Sequence, residues 1–490
     1  MVNATNNFLT PQKAKLDHHR GRLFWGFTFF MTYDQFIESK KHTSQNFGIP
    51  VKWMPSNLFD FQSYICEYGV NKGRCADFVD TGLGKTIIEL TYAYNYVMHT
   101  NKPVLIITPL AVAFQFIKEA KKFSIDDIEY SKDGTFTKKI VVCNYERLSK
   151  FNWQDFDCVI LDESSILKNF DGAIKNQVTA FLKKVKYRYL FTATPSPNDY
   201  IELGTSSEAL GYLGYTDMLG KFFKNNNNNT VKIGQVAMAR QGVEWYLKPH
   251  AETDFWRWVS SWSISCRKPS DLGFSDERHI LPELKEIETV VKNKNPLAVN
   301  GQAQLFNMPA MDFREIKAEV RATIEERCSM AVELANHHDT TVYWVNLNSE
   351  ADRISQIDKS SVEIRGQMDL DEKEEILTSF SDGKIKKLIT KSSITAFGLN
   401  WQHCNHTTYF PTYSYEQYYQ SIRRFWRFGQ TKEVTVDLVL SDGQSRIMQS
   451  LLVKKNKANE MFEKLTKETN SDFKITSKGF DKQFITPKFL

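Results

Sequence analysis

The sequence predicts an α/β protein with two units, each a mostly parallel β-sheet with helices on both faces. The first observation is that short, continuous apolar runs rich in β-branched residues recur along the chain. The second is that longer stretches of helical periodicity separate these runs. The third is that the alternation stops and later resumes. Strands of a parallel sheet are buried on both faces and therefore have this apolar character.

The apolar runs give the predicted strands of each unit. The first unit has five, at residues 75–79, 104–108, 140–145, 158–162 and 189–194. Helical patterns follow the first two strands, at residues 85–100 and 111–123. The second unit has five more, at residues 341–346, 361–366, 387–390, 407–410 and 434–440. We therefore expect two sheets with a helical or irregular insertion between them.

Composition and the alternation of predicted strands and helices divide the chain into five segments. They are an N-terminal extension (1–50), the first α/β unit (51–205), a tryptophan-rich insertion and linker (206–305), the second α/β unit (306–453) and a basic C-terminal tail (454–490). The tail has nine lysines against five acidic residues. We predict a solvated, partly disordered tail, with a weak nucleic-acid contact as the alternative.

The insertion contains one helix with a clear apolar face. Phe255, Trp258, Val259 and Trp262 have the spacing that places side chains on one side of a helix. We predict that this face packs against the rest of the protein. Stacking of these aromatic rings on nucleic-acid bases is the alternative.

The overall composition is that of a soluble globular protein. Of 490 residues, 41% are hydrophobic and 25% charged, and the formal net charge of +5 permits a polyanionic partner without requiring one. The seven cysteines are dispersed without a CxxC pair, which disfavours zinc and fits a reducing compartment. The sequence has no recognisable signal peptide and no apolar run long enough to span a bilayer. We expect a cytoplasmic protein with no membrane partner.

The stretch VDTGLGKT has the composition of a phosphate-binding loop. It follows the first predicted strand and begins a helix. Gly82 and Gly84 allow a tight turn that directs backbone N–H groups at an anion. Lys85 would contact the β- and γ-phosphates, and the Thr86 hydroxyl would contact Mg²⁺. The first glycine of the strict motif is replaced by Val79, but the strand and the helix are in the required places.

The stretch CVILDES supplies the second half of a nucleotide site. An apolar strand ends at Asp162 and Glu163, about 80 residues after the loop. A carboxylate at a strand end can hold hydrated Mg²⁺, which we assign to Asp162. An adjacent carboxylate can orient a water and accept its proton, which we assign to Glu163. The two stretches together predict a Mg²⁺-dependent nucleoside triphosphatase.

The order of these motifs resembles helicase superfamily 2 ATPases, and within them the Swi/Snf-type double-stranded DNA translocases. Small phage and bacterial versions are most similar, and the resemblance covers roughly residues 55–445. It implies two tandem RecA-like lobes that bind ATP and Mg²⁺ between them, with double-stranded or branched DNA as the partner. A nuclease, a methylase, or a replication or recombination protein stays open as a further partner.

The resemblance also implies roles for residues of the first lobe. It places Gln62, in LFDFQSYI, on the adenine and Thr81 in the nucleotide-binding loop. Ser164 and Ser165 replace the last two residues of the family's Asp-Glu-Ala-His motif. Contacts with DNA are implied for Pro109, Leu110, Gln115 and Tyr145. Coupling of hydrolysis to lobe movement is implied for Thr192 and Thr194, in FTATP.

In the second lobe the resemblance rests on TAFGLNWQHC and YYQSIRRFWRFGQ. The first motif places Gly398 at the nucleotide cleft and Asn400 and Trp401 near DNA. The second gives catalytic positions to Gln420, Arg424 and Arg427. Arg427, together with Arg424, is expected to reach the γ-phosphate across the cleft. Arg423 occupies a position where the family usually has glycine, and we assign it no catalytic role.

The predicted function is ATP-driven movement along DNA, or remodelling of DNA, without full strand separation. Two alternatives stay open at this point. One is a true strand-separating helicase, and the other is an ATP-gated DNA-binding or recruitment module that scarcely moves along DNA. Fork unwinding separates the first alternative from the main prediction, and triplex displacement separates the second.

Overall fold

The computed structural model describes residues 46–168, 172–225, 245–293, 313–395 and 400–472. The strands are β1 (Arg74–Val79), β2 (Val104–Thr108), β3 (Ile128–Tyr130), β4 (Ile140–Asn144), β5 (Cys158–Leu161), β6 (Tyr187–Phe191), β7 (Phe223–Asn225), β8 (Trp245–Leu247), β9 (Ser263–Cys266), β10 (Leu284–Val291), β11 (Thr341–Trp344), β12 (Ser361–Glu363), β13 (Lys387–Thr390), β14 (His406–Tyr409) and β15 (Val434–Ser441). All ten predicted strands are confirmed.

Helices connect most of these strands. They are Asp60–Lys72, Lys85–Thr100, Leu110–Lys122, Ala173–Leu182, Leu203–Leu210, Tyr215–Phe222, Glu252–Trp262, Phe313–Ala322, Ile324–Ala335, Asn348–Ile357, Leu370–Ser381, Ser392–Thr395, Tyr415–Ile422 and Ser445–Asp472. Among the described helices, none has the length and apolar character needed to cross a bilayer. All seven cysteines are buried and free.

The first lobe is built on a seven-stranded parallel sheet with the order β3-β4-β2-β5-β6-β1-β9. Its two faces are covered by separate apolar clusters. Helices Asp60–Lys72, Lys85–Thr100 and Leu110–Lys122 pack on one face. Helices Ala173–Leu182, Leu203–Leu210 and Glu252–Trp262 pack on the other. The predicted parallel sheet with helices on both faces is therefore confirmed.

The second lobe is a six-stranded parallel sheet with the order β10-β15-β14-β11-β13-β12. One face is closed by a cluster that includes Trp344, Trp401 and Phe425. The other face packs against helices Ile324–Ala335 and Asn348–Ile357. Both lobes thus have the same architecture, and the loops at the carboxyl ends of their strands supply the site described below.

The described parts of the middle segment contribute to both lobes. Strand β9 extends the first sheet beside β1, and β10 pairs with β15 over its whole length in the second. Helix Glu252–Trp262 buries Phe255, Trp258, Val259 and Trp262 in the first lobe, which confirms packing rather than base stacking. The asparagine-rich run from 226 onward and most of the linker (294–305) lie outside the described residues.

The start of the basic tail is ordered, which corrects our prediction for that part. Helix Ser445–Asp472 begins on the second lobe, where Ile447 and Leu451 are buried. It then reaches the first lobe, where Met461 and Leu465 join the core. An amphipathic helix can bury one stripe while its lysines stay solvated, so charge count did not reveal it. Residues 473–490 and 1–45 lie outside the described part of the chain.

Candidate nucleotide site and interlobe cleft

The predicted phosphate loop has the geometry that its glycines allow. Gly82 and Gly84 have φ values of 87° and 85°, in the left-handed region that favours glycine. The helix begins immediately afterwards at Lys85, so its unpaired N–H groups face the loop. The Lys85 ammonium donates a hydrogen bond to the Val79 carbonyl at 3.3 Å. The loop thus combines backbone N–H groups with one cation, as phosphate binding requires.

Gln62 contacts the phosphate loop directly. Its side chain accepts a hydrogen bond from the Phe59 backbone N–H at 3.0 Å and donates one to the Leu83 carbonyl at 2.8 Å. Gln62 is buried, and a side chain added at Gly84 would collide with its amide. The predicted adenine-contacting residue therefore lies beside the predicted phosphate loop.

Asp162 and Glu163 follow β5 at the same edge of the sheet. Thr108 donates a hydrogen bond to Asp162 Oδ2 at 2.9 Å, and the Glu163 backbone N–H donates one to Oδ1 at 2.9 Å. Glu163 has a φ of 50°, an uncommon backbone conformation for a residue other than glycine. Burial, and next the charge of Glu163, raises the pKa of Asp162, while Lys85 opposes the shift. The pair thus places two carboxyl groups together at one buried edge of the sheet.

Tyr145 supports this pair and also lines the cleft between the lobes, so its contact with DNA stays a prediction. It is only 2% exposed, and its hydroxyl donates a hydrogen bond to the Asp162 carbonyl at 2.5 Å. The structure therefore assigns Tyr145 to fixing the backbone at Asp162.

Three residues of the second lobe lie across the cleft from the first. Gln420 Nε2 donates a hydrogen bond to Glu163 Oε2 at 3.2 Å. Arg424 is buried, and its Nε donates to the Gln420 carbonyl at 3.0 Å. A Cβ added at Gly82 would lie 3.2 Å from Arg427 Cβ. The structure therefore brings the phosphate loop and the last motif together.

Arg424 and Arg427 lie in an environment that disfavours their charged forms. Burial, and next the neighbouring cation Arg427, lowers the pKa of Arg424 to about 9. Burial also lowers the pKa of Arg427 to about 10. Helix Tyr415–Ile422 ends before them, so they lie in turns, with Phe425 buried beneath. Two cations held close together in a buried cleft would gain strongly from an anionic ligand.

A cavity of about 960 Å³ joins the two lobes. Gly84, Thr86, Glu163 and Arg427 line its nucleotide end. Predicted DNA contacts that line it are Pro109, Gln115, Tyr145 and Asn400. Leu110 begins its helix, but its side chain and the whole of Gly398 lie outside the described residues. One cleft thus holds residues predicted for both ligands.

Trp401 is a core residue, and its predicted contact with DNA is wrong. It is fully buried, with ring centroids 5.8 Å from Trp344, 5.1 Å from Phe380 and 5.9 Å from Phe425. Its backbone N–H donates to the Arg424 carbonyl at 2.9 Å. Trp401 therefore supports the turn that carries the arginines.

The predicted coupling residues also meet the second lobe. Thr192 Oγ1 accepts a hydrogen bond from the Thr194 backbone N–H at 3.0 Å. Thr194 Oγ1 lies 3.5 Å from Glu416 Oε1, and Glu416 also pairs with Lys168. Glu416 lies one helical turn before Gln420, so one helix face contacts two loops of the first lobe. The sequence did not single out Glu416, because a lone glutamate carries no motif.

Glu89 was also missed from the sequence. It lies one helical turn after Lys85, is fully buried, and neither carboxyl oxygen has a hydrogen-bond partner among the described residues. Burial, and next the charge of Asp162, raises the pKa of Glu89 well above its usual range, against the effect of Lys85. An acidic residue within an apolar helix stretch was the available signal.

The residues of the cleft fit ATP with Mg²⁺. The cavity is within the size range of small-molecule sites, and Arg427 lines it together with Gly84 and Thr86 of the predicted phosphate loop. Mg²⁺ prefers oxygen ligands and keeps several waters, so one carboxylate and one hydroxyl suffice. Asp162 is oriented by two donors, and the Thr86 hydroxyl lines the same end. A divalent cation would offset the negative charge of Asp162 and Glu163.

Fold and cleft together define a two-lobed, RecA-like nucleotide-binding protein. Two family models match the chain: DEAD/DEAH box helicase over residues 60–203 and helicase conserved C-terminal domain over residues 323–429. Together they cover just over half of the sequence. The chain therefore belongs to the helicase enzymes that these two models describe.

The relatives share part of the chain. The SWI/SNF-related matrix-associated actin-dependent regulator of chromatin subfamily A-like protein 1 of Xenopus tropicalis is 29% identical over 166 residues, or 32% of this chain and 17% of that protein. The DNA annealing helicase and endonuclease ZRANB3 of Mus musculus is 28% identical over 193 residues, or 36% and 18%. The chain thus matches less than a fifth of the length of these curated relatives.

A solved structure supports the fold. Dbp5 of S. cerevisiae, in a variant bound to RNA and ADP–BeF3, superposes with a TM-score of 0.50 at 13% identity. The match covers 83% of this chain and 93% of that one. At this identity the likeness establishes the tandem RecA-like arrangement alone.

Proposed function

We propose that the protein is a DNA-dependent ATPase that moves along or remodels double-stranded or branched DNA. The observation that carries the proposal is the contact of Gln420 and Arg427 of the second lobe with Glu163 and the phosphate loop of the first. A site split between lobes makes their relative position depend on the nucleotide, and this dependence is what a translocating motor needs.

Nucleotide binding is assigned mainly to the first lobe. The backbone of Gly82 and Gly84 and the Lys85 ammonium hold the phosphates, with Thr81 beside them. Gln62 orients the base while it supports the loop. Gly398 is assigned to the second-lobe side of the cleft by its motif alone. Thr86 and Asp162 would hold Mg²⁺, which when bound neutralises charge on the transferred phosphoryl group.

Hydrolysis uses residues from both lobes. A water attacks the γ-phosphorus, the bond from that phosphorus to the bridging oxygen breaks, and Glu163 accepts the proton of the water. Gln420 holds the Glu163 carboxylate in place through the bond at 3.2 Å. Arg427 and Arg424 stabilise the charge on the phosphoryl oxygens, a contribution of about 10³–10⁵ in rate for an arginine finger.

DNA is assigned to the wider part of the same cleft. The basic residues that line it include Lys118, Lys122, Lys132 and Arg147, and acidic residues such as Glu119 and Glu146 lie among them. Pro109, Gln115 and Asn400 lie along the same cavity. Cations along a groove bind phosphates with little regard to sequence, so affinity should fall steeply with salt. The printed names of the relatives, which include a DNA annealing helicase, favour duplex or branched DNA over RNA.

The experiment that tests the proposal compares ATP hydrolysis with duplex DNA, single-stranded DNA, forked DNA and RNA. We expect the largest stimulation with duplex or forked DNA, and ATP-dependent displacement of a triplex-forming strand without release of a fork strand. Fork unwinding would replace the proposal by a strand-separating helicase. Stimulated hydrolysis without triplex displacement would replace it by an ATP-gated binding module, and absence of stimulation by any DNA would contradict it.

A further inference from the structure

A buried ion pair joins the two lobes beside the phosphate loop. Asp80 is the first residue after β1, and its Oδ2 pairs with the guanidinium of Arg423. The two residues are 2% and 7% exposed. Arg423 lies 343 positions further along the chain, in the turn that carries Arg424 and Arg427. The pair thus connects the loop that holds phosphates to the turn that supplies the arginines.

Both partners are held firmly within their own lobes. The Thr81 backbone N–H donates to Asp80 Oδ1 at 2.6 Å, and the Asp80 backbone N–H donates to the Cys266 carbonyl at 2.9 Å. Arg423 Nη1 donates to the Trp426 carbonyl at 3.2 Å, and its guanidinium lies 4.5 Å from the Trp426 ring centroid. Because both groups are fixed within their lobes, their ion pair sets the position of one lobe relative to the other. A pair of mobile side chains would not do so.

A second hydrogen bond to Asp80 and a close approach of the two backbones also join the lobes at this point. The hydroxyl of Tyr419 also donates to Asp80 Oδ1. A Cβ added at Gly82 would lie 2.9 Å from the Phe428 backbone nitrogen. Burial alone would lower the pKa of Arg423, but the Asp80 carboxylate raises it above the usual value, so Arg423 keeps its charge. The lobes therefore meet with little room to shift at this point.

We propose that Arg423 is a positioning residue, which acts through Arg424 and Arg427 by fixing their turn against Asp80. The inference rests on the proposed ATPase function and extends it, because it names a residue pair that fixes the geometry between the lobes. Displacement of a catalytic group by about 1 Å can cost about 100-fold in rate. Loss of the pair should therefore lower kcat and leave ATP binding by the first lobe nearly unchanged.

The test is a double-mutant cycle with Asp80→Asn, Arg423→Gln and the variant that carries both. We expect Arg423→Gln to lower DNA-stimulated kcat about 10- to 100-fold with KM for ATP within about twofold. Each single variant leaves one buried charge without its ionic partner, whereas the double variant leaves none, so the double variant should be no worse than the poorer single variant. The matched control is Arg353→Gln, since Arg353 pairs with Glu325 on the surface of the second lobe. It should leave kcat unchanged.

Hydrogen exchange gives a readout that does not need turnover. In Arg423→Gln, amides of the phosphate loop and of residues 423–430 should exchange together faster than in the wild type, and Arg353→Gln should change neither. Unchanged exchange in both segments, or an unchanged kcat in a folded Arg423→Gln, would overturn the inference. Failure of the proposed function is distinguishable, because then the wild type itself shows no DNA-stimulated turnover while the exchange result still decides the role of Arg423.

Discussion

Gln420 of the second lobe donates a hydrogen bond to Glu163 of the first, over 3.2 Å and 257 positions of sequence. Both side chains are buried, so each depends on the other for its polar contact. The residue that we expect to accept a proton is thus oriented by the opposite lobe. The rate of hydrolysis should therefore depend on the position of the two lobes relative to each other.

The Glu163 carboxylate should be dispensable for ATP binding and essential for turnover. Glu163→Gln keeps the size and the contact with Gln420 but cannot accept a proton, so we expect kcat to fall at least about 10²-fold with little change in ATP affinity. Lys85→Ala should instead weaken ATP binding, because it removes the cation of the loop. Equilibrium binding and steady-state hydrolysis separate the two effects, and normal turnover by Glu163→Gln would refute its assignment.

Glu416 should couple hydrolysis to movement. It contacts Thr194 and Lys168 of the first lobe from the helix that carries Gln420. Glu416→Gln should retain most duplex-stimulated hydrolysis and lose triplex displacement by at least about tenfold, because the weakened contact transmits less of the lobe movement. Glu333→Gln, at an exposed position of helix Ile324–Ala335, is the control. Equal losses in both assays would argue against a coupling role.

Asp77 should make the first lobe less stable as pH rises. Burial, only partly offset by the hydrogen bond from Tyr92 at 2.8 Å, raises the pKa of Asp77 to about 8. The unfolded chain loses this proton near pH 4, whereas the folded chain keeps it to about pH 8. Stability is therefore lost as pH rises between these values. Asp77→Asn should be as stable as the wild type near pH 4 and increasingly more stable towards pH 8.

Denaturant unfolding at several pH values measures this difference. Asp126→Asn, at an exposed position, controls for loss of a carboxyl group. A constant gap between Asp77→Asn and the wild type from pH 4 to pH 8 would mean that Asp77 is ionised in the folded protein.

The C-terminal helix should stabilise the first lobe although it follows the second in sequence. Leu465 is fully buried in the first-lobe core, whereas Leu452 of the same helix is 58% exposed. We expect Leu465→Ala to cost about 2–5 kcal/mol of unfolding free energy. The matched change Leu452→Ala should cost less than about 0.5 kcal/mol. Equal effects of the two changes would show that the helix does not pack as described.

The sequence predicts the strands whose apolar character is continuous. Strand β9 was missed because SISC is four residues long and directly follows a helix. Strand β10 was missed because its edge position leaves charged residues exposed, which breaks the apolar run. Helix Ser445–Asp472 was not predicted because its many lysines indicated a solvated tail, although Met461 and Leu465 have helical spacing.

Motifs predict which residues gather at the site and fail to predict their exposure. The phosphate loop and the pair of Asp162 and Glu163 each consist of a few adjacent residues. The sequence alone is therefore sufficient to predict them. Tyr145 and Trp401 have motif positions near DNA, but burial in their lobes is set by packing that a motif does not contain. The Asp80–Arg423 pair depends on how two lobes meet, and no local pattern specifies that geometry.

The most direct test of the site shared between lobes measures Arg427→Ala in single-turnover hydrolysis with saturating duplex DNA, together with equilibrium ATP affinity. We predict that the hydrolysis rate falls about 10³-fold or more while ATP affinity changes no more than a few-fold. Wild-type hydrolysis by this variant, or a loss of affinity as large as the loss of rate, would contradict this prediction.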